Sequence, residues 1–382
     1  MVNLIIINFD NGSVYKGHFR ILYMCFMNKY FILFYSIFIT ELFVGCTNKA
    51  VTTDSPLDDF SDKNTEKINV SKSLNLERYE IYKPTSVIKD ADYYFVENQT
   101  HENLINIIDI KKDKVFHGIN RGEGPHELIS PSSFQRKGND FFIYDIARKT
   151  IYKIWKEEDS ISINKFSQLI TNERLFQVYL LPKGFLGLGL MNDFWVTYYD
   201  KNNTLTSSLN FPDFNNTRNL TNIEKGSLYM SSTITIKPDG SKMVCATQKA
   251  GVISFCNLQS EKIIEYKRLK YHAPLVSPPR VAGSSSVAFD RNNKIGFCGS
   301  ASDNNYVFLL YSGRTFNSHG MSSHHCEHVL IYDWDGKPLK HLMLEKPIYG
   351  NLSYDSDTHI LYGIGYDPEG MILEYDLNRI KL

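Results

Sequence analysis

The chain has 382 residues, and its 42 Lys and Arg balance 42 Asp and Glu, so the formal net charge at pH 7 is zero. That balance removes the electrostatic case for nucleic acid or an anionic surface as partner. With 24 Tyr and 24 Phe, few Ala, and short runs rich in Ile, Val and Tyr, the composition is that of an all-β protein with little helix.

Residues 1–26 precede a complete export signal and look like none of its regions, so translation is expected to start at Met27. Met27-Asn28-Lys29 supplies a start and one positive charge, Tyr30 to Ile39 is almost wholly apolar, and small Gly45 precedes Cys46. The stretch is shorter than the roughly 20 apolar residues of a membrane span and carries Glu41, which is costly in hydrocarbon. Residues 27–45 are therefore read as a signal peptide. Leu42-Phe43-Val44-Gly45-Cys46 resembles the lipobox of bacterial lipoproteins, although Phe43 is larger than the residue usual there. The resemblance implies that Cys46 is lipidated and becomes the new N-terminus. Several acyl chains on one cysteine suffice for stable anchoring, at about 0.8 kcal/mol per buried methylene. Residues 46–70 are polar and aperiodic, and they read as the lipidated cysteine and a flexible tether spanning roughly 25–30 Å.

From residue 71 to 382 an internal repeat appears. Six times an apolar run ends in Asp or Asn and a polar turn follows, at Asp109, Asp145, Asp200, Asn257, Asp333 and Asp376. A short Asp or Asn side chain accepts from the backbone two residues on and turns the chain out of a strand. Each unit also holds an earlier hairpin, such as Thr233 to Ile236 turning at Pro238-Asp239-Gly240 into Lys242 to Thr247, or Phe176 to Leu181 turning at Pro182-Lys183-Gly184 into Phe185 to Leu190. Trp334-Asp335-Gly336-Lys337 links two further strand-like runs. Four strands per unit, at intervals of 36 to 76 residues with a mean near 53, are blade-sized. Six blades give a six-bladed β-propeller, which protects sheet edges by radial repetition; a pair of β-sandwiches is the competing arrangement. The last unit ends six residues after Asp376, at Leu382, so its outer strand is expected from the segment around Ile68 to Tyr82.

Three stretches carry a resemblance: HGINRGEGPHELISPSSF at 117–134, YSGRTF at 311–316 and HVLIYDWDGKPLKHLML at 328–344. With the lipobox, they resemble the TolB-like six-bladed propeller lipoproteins of Bacteroidetes over most of the chain after residue 70. The resemblance implies the fold and an envelope location, and it hands over no catalytic residues.

The glycine-rich stretch Gly122-Glu123-Gly124-Pro125 lacks the Lys-Ser/Thr of a phosphate-binding loop and the spacing of a dinucleotide fingerprint. It reads as a tight inter-blade connector, whose Arg121, Glu123, His126 and Glu127 are candidate binding residues on one face of the ring. Residues 311–328 read as an extended loop in which His324, His325, Cys326 and His328, with His319 nearby, are candidate metal ligands. The near-consecutive spacing argues instead for a polar insertion, so no cofactor is assigned. Cys245 and Cys256 lie on neighbouring predicted strands; four cysteines in the folded part allow three pairings or none.

Two function classes follow. One is a non-enzymatic binding or scaffolding module for an envelope protein, peptide or glycan, expected to be monomeric and anchored through lipid on Cys46. The absence of Asp after Cys46 points to the outer membrane. Its support includes aromatics that look exposed, namely Tyr198, Tyr199, Tyr306 and Trp334. The alternative is a metal-dependent hydrolase or lyase with acidic and His residues converging on the central channel; no catalytic residue is named for it.

Overall fold

The strands of this protein differ in burial according to their place in a blade, and that difference is written in their sequences. Second and third strands are near-continuous apolar runs, as in β5 (Ile105–Asp109, INIID), buried at every position, because a neighbouring blade covers each face. Outer strands such as β10 (Ile161–Gln168, ISINKFSQ) are mostly open to solvent. The computed structural model describes residues 54–382 apart from 101, 159, 191–192 and 278–285. Residues 1–26, the signal at 27–45, Cys46 and the start of the tether lie outside the described residues.

Two short strands come first, β1 (Thr65–Ile68) and β2 (Lys72–Asn75). Blade one is β3 (Pro84–Asp90), β4 (Tyr93–Asn98), β5 and β6 (Lys114–Gly118); blade two is β7 (Pro131–Lys137), β8 (Asp140–Asp145), β9 (Thr150–Lys156) and β10. Blade three is β11 (Arg174–Leu181), β12 (Gly184–Leu190), β13 (Val196–Asp200) and β14 (Leu205–Leu209), followed by helix α1 (Asn222–Tyr229). Blade four is β15 (Thr233–Ile236), β16 (Lys242–Ala246), β17 (Val252–Gln259) and β18 (Lys262–Lys270). A small ladder of β19 (Val276–Ser277) with β20 (Ala288–Phe289) leads to blade five: β21 (Phe297–Ser302), β22 (Tyr306–Tyr311), helical turn α2 (Phe316–His319), β23 (His325–Asp333) and β24 (Pro338–Asp355). The 18-residue β24 pairs with β23 through its first part and with β25 (Ile360–Tyr366) through its second, so it also begins blade six, which continues with β26 (Gly370–Asp376).

Blade six is completed from the other end of the chain. β2 pairs antiparallel with β26, Leu74 opposite Ile372, as the sequence predicts. β1 adds instead to blade five, running parallel to the first part of β24 with Ile68 opposite Leu344.

Six hydrophobic clusters sit between successive blades, and together they close a ring. Phe95 and Phe141 join blades one and two, Ile151 and Phe185 two and three, and Leu188 and Met243 three and four. Phe255 and Phe297 join blades four and five, Phe308 and Leu352 five and six, and Ile364 and Tyr94 six and one. Polar bonds at or beside the innermost strands recur at four of these seams. Ser133 Oγ accepts from the Val178 amide at 2.9 Å, Gln177 donates to Ser232 O at 3.2 Å, Thr235 donates to Ser302 Oγ at 2.8 Å, and Ser353 donates to Val87 O at 2.7 Å. Burial of apolar side chains on both faces of each sheet, at about 25 cal/mol per Å², drives this packing. A propeller, and not a pair of sandwiches, is the result.

The structure corrects several expectations. Residues 54–70 are not a tether: Phe60 and Ile68 are 8% and 6% exposed, and Tyr271 donates to Asp59 Oδ2 at 2.5 Å. Phe60 packs into the cluster between blades four and five, and Ile68 sits in a strand added to the edge of β24. Five of the six repeat marks fall on third strands, but Asp145 ends the second strand of blade two. Asn257 lies inside β17, where the turn is made by Ser260 and Glu261, both at positive φ. Elsewhere the turn chemistry is as read, with Asp333 Oδ1 accepting from the amides of Asp335 at 3.0 Å and Lys337 at 2.8 Å. Tyr198, Tyr199 and Trp334 are 4%, 3% and 6% exposed, so they are core and not recognition surface.

Candidate functional site

The glycine-rich connector between β6 and β7 is held by its own blade. Arg148 donates to the carbonyl oxygens of Glu127, Gly122 and Gly124, and Asp145 accepts from the amides of Ile129 at 2.8 Å and Ser130 at 3.2 Å. The Glu127 carboxylate accepts from the Gly124 amide at 2.8 Å and lies directly against Gly122, 2.1 Å from the place of a Cβ there. Arg121 donates to Ile129 O at 2.9 Å. Arg121 and Glu127 are thus engaged within the connector, while Glu123 and His126 are exposed on its surface.

The region from 311 to 328 is less loop-like than its sequence suggests, because α2 and a following 3-10 turn lead directly into β23 at His325. Only two of its candidates stay together, the Cys326 thiol donating to the His324 carbonyl oxygen at 3.6 Å. His328 Nδ1 lies 3.0 Å from His341 Nε2 on the neighbouring strand, His325 packs edge-on to Tyr349, Cys326 is fully buried, and His319 Nδ1 meets Ser318 Oγ at 2.8 Å. Among the described residues, no three His, Cys, Asp or Glu side chains are grouped so as to hold a metal ion. Burial, and then the charge of His328, hold His341 down at about 4.

A cleft of about 450 Å³ opens at the other end of the blades, where the β3–β4 turn of blade one meets the β7–β8 turn and the end of β9 in blade two. Its floor is apolar: Phe95 and Phe141 stack at 3.8 Å with Ile154 beside them, all three nearly or fully buried. Half-buried Tyr93 and Trp155 form its aromatic walls. Four carboxylates ring the mouth, Asp90, Asp140, Glu157 and Glu158. Asp90 is paired with Arg136 at 2.9 Å and Asp140 with Lys153 at 2.7 Å. The Lys156 ammonium lies over the rings of Tyr93 at 5.5 Å and Phe116 at 4.3 Å and donates to Glu157 O and Glu158 O. Glu157 and Glu158 themselves are exposed at the rim. Aromatic faces attract cations, and Lys156 shows the surface doing so.

The binding residues expected from sequence lie on the connector at the opposite end of β7 from this cleft. Sequence reasoning missed Tyr93, Trp155, Glu157 and Glu158 because they belong to two blades and come together only through blade packing. The one local signal was an aromatic at the end of a strand followed by a run of acids, KIWKEED at 153–159.

Residues 59–356 match the family described as TolB-like 6-blade propeller-like, and the chain belongs to that family. No curated protein matches the sequence. Among solved structures, the chain is similar to a member of the DUF4221 family from Bacteroides vulgatus, at 11% identity and TM-score 0.50 over 82% of this chain and 98% of that one. It also resembles the Cps50 (Swd1) β-propeller domain of Myceliophteria thermophila, at 13% identity and TM-score 0.41 over 81% and 99% of the two chains. At such identities the likeness is one of fold. No helix among the described residues is long and apolar enough to cross a membrane.

Proposed function

We propose that this TolB-like six-blade propeller is an exported binding module, anchored to the outer membrane through lipid on Cys46, which captures peptide or protein segments presenting Lys or Arg side chains. The observation that carries the reading is the cleft between blades one and two, with its aromatic walls and its rim of carboxylates. A basic side chain entering there gains a cation–π contact of about 0.5–2 kcal/mol and the attraction of Glu157 and Glu158, weakened by salt. The sequence supports the location through the apolar segment that ends in Gly45-Cys46.

The test is calorimetric titration of the purified protein with a Gly-flanked pentalysine peptide and, separately, with maltohexaose. Saturable binding of the peptide, weakened at least tenfold in the Glu157→Lys/Glu158→Lys variant and by raising salt to 0.5 M, is the expected result. Tighter binding of the neutral oligosaccharide, or peptide binding indifferent to the charge reversal, overturns the reading.

A further inference from the structure

Four exposed apolar side chains lie at the end of the ring opposite the cleft, on two loops that interlock. One loop connects β18 to β21 and the other connects β22 to β23. Gly313 donates to Ile295 O and Ile295 to Arg314 O, and the Asn317 amide donates to Arg291 O, each at 2.8 Å; the Asn317 side chain donates to Asn292 Oδ1 at 3.0 Å. The two loops carry Leu275, Phe289, Phe316 and Met321, which are 45%, 40%, 41% and 78% exposed. Apolar surface left in water on this scale marks a place where something else docks. The Arg291 guanidinium lies over the Phe316 ring at 5.4 Å and the Lys249 ammonium over the Phe289 ring at 5.3 Å, so each ring has a cation beside it. Two carboxylates at this end are already engaged: Glu327 pairs with Arg314 at 2.6 Å, and Asp290 accepts from the Asn292 amide at 2.7 Å.

The N-terminal segment joins the ring at this same end. Ser55 is hydrogen-bonded to Tyr311, the last residue of β22, and Asp59 to Tyr271, which follows β18. The charges of Asp54 and Lys294 both act on His272, the next residue. Eight Cα steps separate Cys46 from Asp54, and they span at most about 28 Å. A lipid on Cys46 therefore holds the interlocked loops, and not the cleft, close to the bilayer.

We propose that Leu275, Phe289, Phe316 and Met321 form a foot that enters the interfacial layer of a phospholipid bilayer, with Lys249 and Arg291 at the level of the phosphates, and that the cleft between blades one and two opens away from the membrane. The proposal rests on the lipid anchor at Cys46 proposed above. Rings and aliphatic chains bury at the acyl boundary while cations beside them stay among the headgroups, which is the division of surface seen on these loops. The zero net charge of the whole chain does not oppose the contact, because apolar burial and the anchor hold it rather than long-range attraction.

The full-length protein, made in a bacterium that acylates lipoproteins, is reconstituted into vesicles of phosphatidylethanolamine and phosphatidylglycerol, with or without bromine on the acyl chains. Met321→Trp places a reporter on the foot, and Leu205→Trp places one at the cleft end of blade three. Both sites are exposed, at 78% and 46%, so the fold tolerates the changes, and equal Tm values check this. The emission of the unaltered protein, with its three Trp, is subtracted. The emission added at 321 is expected to shift to the blue and to fall at least twofold in the brominated vesicles, while that added at 205 stays unchanged. Equal quenching at both sites overturns the foot. So does an unquenched reporter at 321 in protein whose Cys46 carries acyl chains by mass spectrometry, a result that leaves this face to a protein partner. Absence of acyl chains from Cys46 overturns the anchor, and the membrane contact with it.

Discussion

Replacing Leu76 by Ala strikes the point where the N-terminal segment is fastened to the ring. Leu76 is 0% exposed and packs with Tyr79, Ile81, Tyr94, Tyr362 and Ile372 between blades six and one. Its amide donates to Gly370 O at 3.0 Å and its carbonyl accepts from Ile81 N at 3.1 Å, bonds that the substitution leaves in place. The loss is therefore apolar contact and cavity, which for a fully buried Leu→Ala is about 3–5 kcal/mol. Thr53–Leu382 forms one compact unit of some 330 residues, whose unfolding entropy at about 2.1 cal/mol/K per residue is near 0.7 kcal/mol/K. The expected fall in Tm is about 4–7 °C by scanning calorimetry. Leu205→Ala on β14, 46% exposed, is the control and is expected to shift Tm by about 1 °C or less. Equal shifts for the two variants would refute closure of the ring through this segment.

Three further outcomes follow from the packing. Phe60→Ala is expected to cost about 3 kcal/mol, because Phe60 is 8% exposed and meets Tyr332 edge-on at 5.5 Å; a truncation that removes residues 54–64 should then melt lower than one ending at 53. Arg148→Ala removes the donor to three connector carbonyls, so amide exchange over residues 120–130 should accelerate at least tenfold while the other blades keep their protection. His341 is 6% exposed and held at about 4 in the fold, against about 6.5 when unfolded. The unfolded chain thus binds the extra proton first, and stability present above pH 6.5 is lost as pH falls toward 4, by up to about 3 kcal/mol. Urea titrations of His341→Gln at pH 7 and pH 4.5 should show a smaller acid loss than wild type, and an identical loss would count against the assignment.

Much of the fold is legible because propeller strands are set by local chemistry. Apolar runs bounded by Asp, Gly and Pro marked Thr150 to Trp155, Thr233 to Ile236 and Phe185 to Leu190 to within a residue or so of β9, β15 and β12. Asp109, Asp200 and Asp333 accept from amides two residues on, the contact their sequence context implies. Asp145 followed the same local rule and so looked like another third-strand mark, although its strand is the second of its blade. The error over residues 54–70 has a different origin: Phe60 and Ile68 are too sparse to form a pattern, and their burial depends on surfaces of blade five that only the closed ring presents. Tyr93 and Trp155 were illegible for a like reason, since 62 residues separate the two sides of the cleft.

The most direct test of the account is carried by the protein's own fluorescence. Of its three Trp, Trp195 and Trp334 are 1% and 6% exposed, whereas Trp155 is only half-buried in the cleft wall. Titration with the pentalysine peptide is predicted to give a saturable change in tryptophan emission, matched in midpoint by calorimetry. In a Trp155→Phe variant of unchanged Tm, the fluorescence change should vanish while calorimetric binding persists. A flat titration, or a change that survives in Trp155→Phe, would contradict the assignment of the cleft as the binding site.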